Sequence, residues 1–320
     1  MSNSILLKTS AQPIAHADVK QLLDAIVADA RNELAGVFAS VKQGKTPAGA
    51  RARAIAQAAD QLPARTRDAL LGAGAKLAGG AAATPKRVTS LAALVGEPRP
   101  VPAAAAAPAS KLTLRVQKIK CVNDTSELGK DEMLLGGQAS VIPLSGDNTF
   151  GTPTDAGTTA PVALGKFKAG DSRNLDLTLA SFNLRDSLPF PRVFNVSMLL
   201  VEKDLGNPDK LVTLLKTIQA LVEDKVVDKV QEFLTGLDDE KKFTALIALA
   251  VTLVPAAIGL LIGAVGRLVG DEAFPVFAAA ISLDSASSLF DGGKKDTADQ
   301  VAQFSAFGGT YQVTFDYALS

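Results

Sequence analysis

Beyond residue 111 apolar and polar positions alternate, and a period of two predicts strands. Leu112, Leu114 and Val116 share one side. Ile119 and Cys121 resume it after a slip of one residue, the mark of a β-bulge. Further strands are predicted over 131–142, 160–168, 175–184, 193–203, 273–283, 301–307 and 310–319. The last is the clearest, with Tyr311, Val313, Phe315, Tyr317 and Leu319 in phase. Eight short strands separated by Gly, Pro and Asp turns imply an antiparallel β-sandwich.

Two stretches follow a helical period instead. Before residue 97, Asp18 is a candidate N-cap for a helix carrying Leu22, Leu23, Ile26, Val27, Leu34, Val37 and Phe38. Pro47, Pro63 and Pro85 each stand where a further helix would begin. Those later helices offer little beyond alanine, Ile55, Leu70, Leu71 and Leu77, and Gly72, Gly74, Gly79 and Gly80 weaken them. A marginal bundle is expected, or helices that settle only against a partner. The second stretch interrupts the strands at about 205–272. Over 208–236 a stripe runs from Leu211 through Leu215, Ile218, Val222 and Val226 to Phe233, and 240–269 forms a second helix or a broken one. The chain thus divides into an Ala-rich helical segment (1–96), a Pro/Ala linker (97–111), and a β-sandwich (112–320) with an inserted αα-hairpin.

Residues 243–266 hold no charge and lie between Lys241-Lys242 and Arg267, long enough to span a bilayer. A core helix between an amphipathic partner and a sheet has the same composition. One crossing would also place the flanking strands on opposite sides of the membrane. A buried helix or hairpin is therefore the favoured reading, with conditional membrane insertion as the alternative.

The formal net charge is zero across 320 residues, but residues 1–111 carry 14 Lys and Arg against 7 Asp and Glu. No Arg–aromatic interleaving accompanies this bias, so no nucleic-acid partner is expected. The single cysteine, Cys121, excludes an intrachain disulfide and reads as a small buried hydrophobe. No conventional signal peptide opens the sequence. His16 is the only histidine, expected to be solvated near a mobile terminus, and no Walker A or dinucleotide-binding glycine motif is present. A non-enzyme is expected.

Two acidic loops remain. The first contains Asp124, Glu127, Gly129, Asp131 and Glu132 before Met133-Leu134-Leu135; the second contains Glu202, Asp204 and Asp209. Clustered loop acids suit hard divalent cations, and they are equally ordinary as solvated loop tips. Asp124, Gly129 and Asp131 ahead of a strand, with Glu202, Asp204 and Asp209 later, resemble the C2 domain, a calcium- and phospholipid-binding eight-stranded sandwich. The resemblance covers roughly 112–204 and 273–320. Glu132 stands where that family has proline, Glu202 where it has aspartate, and helices follow the third loop. The resemblance implies a Ca2+ site formed by Asp124, Asp131, Glu202, Asp204 and Asp209. It also implies a non-catalytic binding or adaptor role at a membrane surface or on a protein partner. Two other roles stay open: a membrane-inserting effector using 243–266, and an assembly component docking through its N-terminal helices.

Overall fold

The structure, a computed structural model, describes residues 7–14, 16–78, 107–125, 131–145, 149–203, 208–235, 239–269, 274–290 and 293–320. It has a mixed α/β architecture of three layers. A five-stranded and a four-stranded antiparallel sheet face each other, and helices cover the outer side of the first.

In chain order the elements are β1 (Leu7–Thr9), α1 (Ala17–Lys42), α2 (Ala50–Asp60), α3 (Ala64–Leu77), β2 (Lys111–Asn123), β3 (Asp131–Pro143), β4 (Thr154–Phe167), β5 (Ser172–Asn183) and β6 (Arg192–Glu202). They continue with α4 (Pro208–Phe233), α5 (Asp239–Val269), β7 (Phe277–Leu283), β8 (Gln300–Ala306) and β9 (Gly309–Leu319). The sheets are ordered β1-β7-β6-β3-β4 and β5-β2-β9-β8. All eight strands expected from the alternation are present, β4 starting six residues before its predicted first residue, and β1 is a ninth among the described residues. The predicted bulge in β2 falls between Val116 and Lys118, where the register shifts against both β5 and β9.

Strands β3, β6 and β7 are buried on both faces. Their odd and even positions serve two different cores. Met133, Leu135, Phe194, Val196, Met198, Phe277 and Ile281 meet Leu112, Leu114, Phe304, Val313 and Phe315 of the opposite sheet. Leu134, Ile142, Val193, Leu199, Val201, Ala278 and Ala280 instead meet the helices.

The inserted helices form the predicted pair. Helix α5 runs unbroken through Pro255, packed between sheet and helices so that 78% of its apolar Lys242–Ile262 window is buried. The first helices pack against the inserted pair. Val19, Leu22, Ile26, Leu34, Phe38, Ile55 and Leu70 share one core with Leu214, Ile218, Val222, Leu253 and Ile258, so α4 and α5 supply the apolar surface that alanine-rich helices lack. Gly74 is required there, because a β-carbon would lie 2.7 Å from Cβ of Phe38. Asp18 lies in the first turn of α1; the N-cap is His16, whose Nδ1 accepts from the Asp18 amide, so the lone histidine is a half-buried cap and not a free side chain. The helix expected after Pro85, and residues 97–106 of the linker, lie outside the described residues.

Candidate functional site

Two groups of polar side chains are built into this framework. The first sits at one end of the sandwich, where β2 stops, β3 begins and β6 ends. Asp131, first residue of β3, points inward because Met133 and Leu135 on the same face do. Its carboxylate accepts from the amide of Thr125 at 2.9 Å, from Thr125 Oγ1 at 2.8 Å and from the Tyr311 hydroxyl. Tyr311 stands opposite Cys121 across β2 and β9 and is packed edge-on by Phe167 and Phe274. Burial, reinforced by the hydrogen bond to Asp131, pushes the phenol well above its ordinary range, and burial likewise raises the Cys121 thiol. Both groups are held protonated.

Glu132 faces the other way, with Lys203 Nζ at 3.0 Å and Lys166 Nζ at 3.1 Å. These ammonium groups hold its carboxyl below the usual range. Asp124 is half-buried just past the end of β2, and Glu202 is buried opposite Met133, two residues along β3 from Asp131. Asp209 is exposed in the first turn of α4, and Asp204 lies outside the described residues. The strands thus bring Asp124, Asp131 and Glu202 to one end. Yet Thr125 and Tyr311 already occupy both Asp131 oxygens, and among the described residues no three His, Cys, Asp or Glu side chains form a group that could hold a metal.

The second group was not singled out from the sequence. Ser140 of β3 and Asn195 of β6 are register partners on the helix-facing side, and Gln138 and Ser197 are the next such pair. Gln219 and Glu223, one helical turn apart on α4, come down onto them. Glu223 accepts from Ser140 Oγ, from Gln219 Nε2 at 3.0 Å and from Asn195 Nδ2 at 3.3 Å. Gln219 Nε2 also reaches Ser140 Oγ at 2.9 Å. Burial pushes the Glu223 carboxyl up to about 7, against the pull of those three donors. At the rim, Gln138 donates to Asp155 at 2.7 Å, and Lys216 of α4 pairs with the same carboxylate. Burial raises Asp155, but the Lys216 and Gln138 hydrogen bonds outweigh it, and the net shift is downward. The signal was present in the sequence: Gln138 with Ser140, and Asn195 with Ser197, break strands that are otherwise apolar, and Gln219 with Glu223 interrupts the apolar stripe of α4.

Fold and site together define a helix-backed, two-sheet antiparallel sandwich with a sealed polar group between its helical and sheet layers. The chain matches no known protein family, no curated protein and no solved structure.

Proposed function

We propose that this chain is a non-catalytic binding module that meets a membrane surface or a protein partner through the outer face of the four-stranded sheet. One observation carries the reading. Helices cover the outer side of β1, β7, β6 and much of β3, leaving β4 largely exposed at the edge, whereas the whole outer side of β5-β2-β9-β8 is open and mostly polar. Lys118 and Lys120 are exposed on β2, beside Thr310, Gln312 and Thr314 of β9 and Gln303 and Ser305 of β8. An extended polar face with rigid backbone behind it suits recognition, since little ordering cost is added on contact.

Flotation with phosphatidylserine-containing vesicles, with and without calcium, tests this. The wild type is expected to float, and a Lys118→Glu/Lys120→Glu variant to remain in the dense fraction. If both float equally, the sheet face is not the binding surface; if neither floats, the membrane is not the partner. A calcium requirement would support a site formed by Asp124, Asp131, Glu202, Asp204 and Asp209.

The length of α5 supports a second reading, membrane insertion, because the 21-residue stretch Lys242–Ile262 contains an 18-residue window with a mean hydropathy of 2.6. Its burial beneath α1, α3 and α4 supports a core role instead. Dye release from the same vesicles separates the two, and intact vesicles end the insertion reading. Docking through the N-terminal helices would use their outward sides, since their apolar stripes are spent on α4 and α5.

A further inference from the structure

Ser140, Asn195, Ser197, Gln219 and Glu223 lie at the centre of an otherwise apolar interface and are 3%, 1%, 0%, 1% and 2% exposed. Their hydrogen-bond donors converge on Glu223. The amide nitrogens of Asn195 and Gln219 and the hydroxyl of Ser140 are all directed at its Oε1. What remains is oxygen. Asn195 Oδ1, Gln219 Oε1 and Ser197 Oγ are buried without a partner. Buried acceptors without donors are disfavoured, so three of them on nearby positions of β6 and α4 point to a bound partner.

The charges around Glu223 are already committed. On its own helix, Lys216 is taken by Asp155 of β4, while Lys225 and Lys229 pair with Glu33 and Asp29 of α1. Arg51 of α2 pairs with Asp224. At the two ends of the sheet, Glu132 of β3 is held by lysines and Arg192 of β6 pairs with Asp186, while Glu202 lies at the far end of β6. Helix α5 contributes the uncharged stretch Ala245–Ile262. A proton on Glu223 would cancel its charge but supply a single hydrogen. A water would satisfy two acceptors and leave the charge. A cation meets both needs.

We propose that this buried polar cluster is an internal site for a monovalent metal cation of sodium or potassium size, bound by the Glu223 carboxylate and the oxygens of Asn195, Gln219 and Ser197. The donor set is all oxygen, which suits a hard ion. With one carboxylate, a monovalent ion brings the cluster to neutrality, whereas a divalent ion would leave a net positive charge in an apolar layer.

Melting of the full chain at pH about 8.5, where Glu223 is ionised, tests the site in sodium chloride, potassium chloride and N-methylglucamine chloride of equal ionic strength. A melting temperature several degrees higher in sodium or potassium than in the organic cation is expected, because an ion bound only to the folded state stabilises it. Glu223→Gln, which removes the charge and keeps the shape, is expected to melt alike in all three salts. Ser197→Ala, lacking one ligand but no charge, is expected to lose much of the difference. Equal wild-type melting in the three salts overturns the site. So does a Glu223→Gln variant that keeps the wild-type difference, and full retention in Ser197→Ala overturns the ligand set.

Discussion

Glu223 is a carboxylic acid sealed between a helix and a sheet with neutral groups around it, and its protonation must be linked to folding. Its carboxyl titrates near 7 in the folded chain against 4.5 as the ordinary value. The folded state therefore keeps the proton to higher pH than the unfolded state. The stability this group allows is fully present below pH 4.5 and is lost as pH rises through about 7. That interval corresponds to a loss on the order of 3 kcal/mol. Glu223→Gln, measured by urea unfolding in buffer free of sodium and potassium, is expected to be more stable than wild type by about that amount at pH about 8. The two are expected to converge toward pH about 4.5. Asp131 is a buried acid with hydrogen-bond donors on both oxygens. Tyr311→Phe removes one of them and is expected to cost about 1–3 kcal/mol by the same measurement. The alternation of strand residues separates inward Asp131 from outward Glu132. It does not say that the inward one meets a tyrosine 180 residues later, because that contact is made by strand order and not by spacing.

At the scale of elements, β3 carries the tightest constraint. Gly137 lies where a β-carbon would come 2.7 Å from the backbone carbonyl oxygen of Ser197 and 3.4 Å from Leu179. Gly137→Ala must push β3 from β6 or from the facing sheet. A destabilisation of about 1–3 kcal/mol is expected, read as a lower urea midpoint with an unchanged slope. The connection between β5 and β6 is held differently. The guanidinium of Arg192, 1% exposed, donates to the carbonyls of Pro189 at 3.2 Å and Asn183 at 3.3 Å and to that of Leu188, pairs with Asp186 at 2.7 Å, and lies over the Phe190 ring. Arg192→Ala strands those carbonyls, and a loss of about 3–5 kcal/mol is expected from thermal or urea unfolding. The element boundaries were largely legible from periodicity. The double burial of β3, β6 and β7 was legible only as a weaker alternation, since both faces are apolar.

For the whole molecule, the decisive feature is that the first three helices and the inserted pair share one core. Removing residues 1–78 would uncover the apolar sides of α4 and α5, including Leu214, Ile218, Val222 and Leu253. An exposed patch of that kind drives association. The truncated chain is expected to aggregate or to elute as large oligomers in size-exclusion chromatography with light scattering. A monomeric truncated body would show that the insert and sandwich are self-sufficient. The candidate site follows the same logic, since its residues come from β3, β6 and α4 and exist as a group only once the helical layer is seated.

The order of residues by itself determined where strands and helices form, the bulge in β2 and the helical character of the insertion, because period and turn chemistry act between near neighbours. It also supplied the acids and amides from which any site must be made. Only the tertiary structure decided that Asp131 turns into the sandwich, that the alanine-rich helices close over α5, and that a lone carboxyl of α4 meets Ser140 and Asn195 of the sheet. These outcomes depend on which distant surfaces pack together, and burial then sets the charge state and hydrogen-bond supply of each polar group.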